Sequence, residues 1–197
     1  GYARQHEETG RYYATLKTWE LSVGVLSTHP ARRAAAPYLQ SLHAESNATV
    51  NLTLPDGDEV MFIERAASSR VMRVAREIGS RAPMALTASG RVFLSAREDA
   101  RAVLERAKAT LPAAADLDVA AVLDELETVR QRGYAMTVDG RGRGVATVAA
   151  PIMGHNEKPA AAIAISASKE RFTGDYLRNV TDLLISTCSE IGVIDPL

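Results

Sequence analysis

The stretch Val145-Ala-Thr-Val-Ala-Ala-Pro-Ile-Met153-Gly-His-Asn-Glu-Lys-Pro159-Ala-Ala-Ala-Ile-Ala-Ile-Ser166 decides the fold class. Two apolar runs, 145–153 and 160–166, flank a short polar turn that starts with glycine and closes with proline. Such runs read as strands, and a connection this short makes them antiparallel neighbours. A third run, 134–138, precedes them across Gly140-Arg-Gly-Arg-Gly144. That glycine loop looks superficially like a phosphate cradle, but dinucleotide fingerprints open a helix and this one leads into a strand. Upstream, 49–54 and 59–66 surround the turn Pro55-Asp56-Gly57-Asp58, and 71–78 is a further strand candidate. Residues 79–84 and 113–118 read as loop.

Helical spacing fills the intervals. Leu16, Trp19, Val23 and Leu26 predict a helix over 16–27, stopped by Thr28-His29-Pro30. A second helix covers 31–46, where Pro37 is expected to kink it or mark its first ordered turn. Further helices start at Thr87, span 98–109, and run from Asp118 to a C-cap at Gly133. Phe172, Tyr176, Val180, Leu184, Cys188 and Ile191 stripe a long last helix. At the start, 2–5 and 11–14 form a hairpin around Glu7-Glu8-Thr9-Gly10, which alone is marginal in water. Strand pairs with helices between them imply an α+β domain, a largely antiparallel sheet with flanking helices.

Composition removes whole classes of function. The 197 residues suit one domain, and 23 basic against 24 acidic residues leave a formal charge of −1, which disfavours a dedicated polyanion binder. One cysteine excludes an internal disulfide. No apolar run approaches the ~20 residues of a membrane span, and residues 1–7 lack a signal-peptide core. A soluble cytoplasmic protein with no membrane partner is expected.

Candidate chemistry is sparse. His6, His29, His43 and His155 are scattered without ligand spacing, so no metal and no cofactor is expected. Cys188 lies on the apolar stripe of its helix and reads as a buried structural thiol rather than a nucleophile. Arg70, Arg73, Arg76, Arg81 and Arg91 make the middle locally basic, which a solvated face explains and anion steering also would. Met84-Ala-Leu-Thr87-Ala88-Ser89-Gly90-Arg91 enters a helix through small residues that leave its first N–H groups approachable. Two readings stand side by side there: an anion site at a helix N-terminus, or ordinary capping by Thr87 with close packing of the helix on the sheet at Gly90.

Four segments together resemble one family. Gly79-Ser-Arg-Ala-Pro-Met-Ala-Leu-Thr-Ala-Ser-Gly-Arg-Val-Phe-Leu-Ser95, Leu126-Glu-Thr-Val-Arg-Gln-Arg-Gly-Tyr-Ala135 and Gly144-Val-Ala-Thr-Val-Ala-Ala-Pro-Ile152 are similar, in order and spacing, to motifs of the IclR family of bacterial transcription regulators. Gly1-Tyr-Ala-Arg4 and Glu8-Thr-Gly-Arg-Tyr12 resemble the wing of that family's N-terminal winged helix. The resemblance implies residues 1–15 as the remnant of the wing, 16–30 as a linker helix, and 31–197 as a GAF-like effector-binding domain. It further implies a DNA partner engaged through an N-terminal domain whose recognition helix this chain lacks, and assembly as a homodimer or homotetramer.

The resemblance also implies a site. A small-molecule carboxylate effector is expected at the helix entrance formed by Thr87, Ala88 and Ser89, with the acid on the amides of Ala88 and Ser89. Polar positions map onto Thr137, Thr147, Ala164 and Ser166, and apolar walls onto Val71, Val74, Ala82 and Val145. Family members that bind small keto acids carry Asp, Cys, Ser and Ser at those four polar positions. The chain therefore predicts a less polar far wall and a larger or aromatic acid. Two other functions compete with sensing: a non-sensing oligomerisation module, and an enzyme acting on small organic acids, for which these positions offer no His, Cys, Asp or Glu.

Overall fold

The computed structural model describes residues 1–67, 77–138 and 144–194. A two-stranded hairpin, β1 (Ala3–Gln5) and β2 (Tyr12–Ala14), leads into α1 (Leu16–Thr28). None of the residues of α1 is buried. The chain turns at His29, whose Nδ1 accepts from the Ala31 amide at 3.2 Å and so caps α2 (Pro30–Ser46). Pro30 is therefore the first residue of α2, where a missing N–H costs nothing. Contrary to an entry at Pro37, α2 runs through it as one helix.

The remaining strands form one six-stranded sheet in the order β5-β4-β3-β8-β7-β6, antiparallel throughout. They are β3 (Thr49–Asp56), β4 (Glu59–Ala66), β5 (Arg81–Pro83), β6 (Ala135–Val138), β7 (Val145–Met153) and β8 (Pro159–Ser168). The α+β class, antiparallel sheet and flanking helices agree with the sequence. The strand expected over 71–78 falls mostly on residues 68–76, outside the described residues, as do most of the glycine loop (139–143) and the basic residues Arg70, Arg73 and Arg76. Residues 79–84, expected as loop, contain β5, which adds an edge to β4 through only three pairs. A strand this short and ended by proline leaves no periodic signal.

Two layers cover the sheet. On one face Val50, Leu52, Ile63, Val148, Ile152, Ile163 and Ile165 pack with α2 and α6 (Gly174–Ile191). On the other lie α3 (Ala88–Ser95), α4 (Ala100–Thr110) and α5 (Val119–Arg132). A bulge in β4 opposite Leu52 and Thr53 reverses its alternation and sends Phe62 to this second face. Cys188 is buried in the first layer, 3.7 Å from the Ala150 carbonyl, as its stripe position predicts.

Candidate functional site

An eight-residue helix is too short to persist alone, so the position of α3 is set by its anchors. Thr87 is its N-cap, in extended geometry, and its hydroxyl accepts from the Gly90 amide at 3.0 Å. The 3-10 turn Met84–Leu86 comes before it, and the Met84 amide donates to Asp58 at 2.9 Å. A Cβ on Gly90 would stand 2.2 Å from both Cα and O of Met84. The close approach that requires glycine is thus to the backbone of this turn, not to the sheet.

Charged side chains fix the rest of the helix. Arg97, just beyond α3, donates to the Gly57 carbonyl at 2.6 Å and to Asp58 and Asp99 at 3.2 and 2.7 Å. The hydrogen bond to Asp99 chiefly raises the Arg97 pKa and lowers that of Asp99. Arg91 forms an ion pair with Glu125 of α5, both largely buried. Burial pulls the guanidinium of Arg91 below its ordinary pKa, and removing either member of such a shielded pair would leave the other charge uncompensated. Apart from Asp99, which is two residues from Arg97, these partners are 34–40 residues apart in sequence, which no local pattern reveals.

The anchoring leaves two amides open. The Arg91 amide bonds the Thr87 carbonyl and the Gly90 amide is capped, whereas the N–H groups of Ala88 and Ser89 have no acceptor among the described residues. Ala88 and Ser89 are both buried. They are the first two orphan donors of the helix, held where water is scarce and where the helix dipole favours an anion.

Opposite α3 is the second face of the sheet, which the helix crosses at β7, β8 and β6 and meets again at β3. Thr137, Thr147 and Ser166 lie side by side in register across β6, β7 and β8, with Thr49 of β3 next in the row. The Thr147 and Ser166 hydroxyls are hydrogen-bonded at 2.9 Å. The adjoining row is Ala135, Ala149, Ala164 and Asn51. Four sequence-expected positions, Thr137, Thr147, Ala164 and Ser166, are thereby brought together beneath α3. Val145 opens β7 on the same side, half-buried. Ala82 is fully buried with Val60 and Phe62, on β5 at the opposite edge of the sheet from Thr137. Val71 and Val74 lie outside the described residues.

Asn51 was missing from the sequence-expected set. It is 6% exposed, and its Oδ1 has no hydrogen-bond partner among the described residues. An acceptor buried in this way costs about 1–3 kcal/mol. The signal lay in Thr49-Val50-Asn51-Leu52-Thr53: polar residues alternate with apolar ones as on a solvated strand face, yet all five are buried. Among the described residues no cluster of His, Cys, Asp or Glu could hold a metal ion, and no helix is long and apolar enough to cross a membrane. The arrangement offers amide donors, hydroxyls and an amide side chain, which suits recognition of a small anion.

Residues 23–193 match the family described as "Bacterial transcriptional regulator IclR C-terminal". Among curated proteins, the chain is 27% identical over 189 residues to the HTH-type transcriptional regulator KipR of Bacillus subtilis (94% of this chain, 76% of that protein). It is 30% identical to the probable transcriptional regulator SauR of Cupriavidus necator (89% and 71%), and 26% to the transcriptional repressor IclR of Escherichia coli (97% and 72%). The solved structure of the Thermotoga maritima IclR superposes with a TM-score of 0.80 at 26% identity, covering 97% of this chain and 78% of that one.

Proposed function

The chain belongs to the IclR family of bacterial transcriptional regulators, and from that premise we propose that residues 31–197 are a domain that senses a small organic carboxylate. Members of this family are regulators, not enzymes. The observation that carries the reading is the pair of amides at the buried residues Ala88 and Ser89, without acceptors among the described residues, at the start of the helix that lies over the β7–β8 surface carrying the bonded hydroxyls of Thr147 and Ser166.

Magnitudes narrow the ligand. Two hydrogen bonds to a charged group contribute about 3–6 kcal/mol, while micromolar affinity needs about 8 kcal/mol. The difference of ~2–5 kcal/mol corresponds to roughly 80–200 Å² of apolar ligand surface at 25 cal/mol per Å², a minimum because association itself costs free energy. An aromatic ring or medium-length aliphatic chain supplies that area, and Ala135, Ala149 and Ala164 give it a small-residue wall. An acid larger than a two- or three-carbon keto acid fits best.

In this reading residues 1–15 belong to the wing of a DNA-binding winged helix, and α1 connects it to the sensor in a cytoplasmic regulator. Leu16, Trp19 and Val23 of α1, spaced to share one helix face, are exposed, and the apolar face they offer supports assembly as a homodimer or homotetramer. The effector shifts the arrangement of the DNA-binding heads by binding one of two assembly states more tightly; 1–3 kcal/mol of such difference changes DNA affinity about 5–150-fold. A calorimetric screen of aliphatic and aromatic carboxylates tests the proposal. Saturable binding without turnover is expected, weakened at least tenfold by Ser166→Leu. Ligands that Ser166→Leu binds as tightly as the unaltered chain would put the site elsewhere.

A further inference from the structure

Two buried side-chain atoms lack a hydrogen-bond partner among the described residues, Arg91 Nε and Asn51 Oδ1. The charge of Arg91 is already met by Glu125 through another nitrogen. Asn51 has no such compensation. Its register neighbours are Ala164 on β8, which carries no polar group, and Arg65 on β4. The next residue on the same face, Thr53, gives its hydroxyl to the Ala162 carbonyl at 3.1 Å. Lack of a partner is therefore not general to this side of β3. Buried polar atoms in folded chains are nearly always satisfied, and an exception needs an explanation, of which a ligand group is one.

We propose that Asn51 is a specificity residue, and that the acid bound at α3 carries a hydroxyl that donates to its Oδ1. The ligand class is then a hydroxy-carboxylate: the carboxylate on the amides of Ala88 and Ser89, the hydroxyl at Asn51, the carbon skeleton over Ala149 and Ala164. This inference rests on the carboxylate reading of α3. A hydroxyl both donates and accepts, so it pairs with the side-chain amide in either orientation, whereas a carbonyl or ether oxygen offers nothing to Oδ1. Ala164 leaves no chain hydroxyl to compete for that place.

The test uses matched acids that differ by one hydroxyl, 3-hydroxybutyrate with butyrate and 4-hydroxyphenylacetate with phenylacetate, titrated into the full chain and its Asn51→Leu variant. The unaltered chain is expected to prefer the hydroxy member of at least one pair about tenfold or more. Asn51→Leu is expected to reduce that preference to within about twofold without lowering the melting temperature of the unliganded chain, because leucine removes an unpaired polar atom from a buried position. Equal affinity for both members of each pair, as when a bound water satisfies Oδ1, overturns the role of Asn51 and leaves the carboxylate site standing. A variant that melts lower and loses both members of a pair equally shows a structural residue and also overturns it. Failure of every acid to bind overturns the inference together with the reading beneath it.

Discussion

The two faces of the same sheet are built differently. Toward α2 and α6, β7 and β8 present Val148, Ile152, Ile163 and Ile165, which interdigitate with Leu39, Leu42, Val180 and Leu184. Toward α3, the same strands present Thr147, Ala149, Ala162, Ala164 and Ser166, one residue out of step. Each large aliphatic chain on the first face contributes about 1.5–3 kcal/mol on burial, and each alanine on the second far less. Along β7 and β8 the first face carries the larger side chains. The second gives up packing energy, keeps polar groups in its interior, and has a helix above it with two open amides. Around it Phe62, Met84, Phe93, Leu94, Leu104 and Leu126 form a second buried core, so the contrast is confined to the β7–β8 stretch beneath α3.

Adjacent residues on the two faces should therefore respond in opposite ways. Ile163→Ala is expected to cost about 2–5 kcal/mol, seen as a melting temperature about 5–20 °C lower, with carboxylate affinity retained in the folded fraction. Ala164→Leu should change stability by less than about 1 kcal/mol but weaken carboxylate binding at least tenfold, because it fills ligand space rather than packed core. A loss of 1–3 kcal/mol, the ordinary cost of overpacking, would mean that the α3 side is as tightly filled as the other and would break the contrast.

Gly90→Ala should cost about 1–3 kcal/mol and displace the α3 entrance, since the new Cβ meets the Met84 backbone. Its signature in titration is lost affinity, in contrast to Ile163→Ala. Cys188 sharpens the comparison from the packed side. Burial pushes its thiol up to about 12, so at neutral pH it stays protonated, and labelling by a thiol reagent should proceed only through unfolding. Ile163→Ala should speed that labelling while Ala164→Leu leaves it slow.

The smallest expected effect lies at the anchor of α3. Asp99 is held below its ordinary 3.8 chiefly by the hydrogen bond from Arg97. A depressed carboxyl pKa stabilises the fold above the unfolded value, and that stability is lost as pH falls through the folded value. Urea midpoints should decline below about pH 4 and decline less steeply in Asp99→Asn. Identical acid profiles would show that this surface pair contributes nothing measurable.

Most of the frame was legible in the sequence because it is written in local periods. Amphipathic stripes located the helices to within a few residues, and the turns at Asp56-Gly57 and Gly154–Pro159 paired the strands. The polar sheet positions came from resemblance to a family, and the structure brings Thr137, Thr147, Ala164 and Ser166 onto one surface. What stayed hidden was tertiary. Asn51 alternates like a solvent-facing residue, yet it is buried on the side of the sheet that α3 covers. Arg91 meets Glu125, and Arg97 meets Asp58, across gaps that carry no periodic signal. β5 is too short to be read except as the edge partner of β4.

The central claim, that the open amides of α3 receive the acid, can be observed at those atoms. Amide proton shifts of uniformly nitrogen-15-labelled chain would be followed as a carboxylate that stabilises it against heat is added. The account predicts that the Ala88 and Ser89 resonances move downfield and saturate with the binding curve, while the capped Gly90 amide moves less. Saturation that leaves Ala88 and Ser89 in place while resonances elsewhere shift would contradict it.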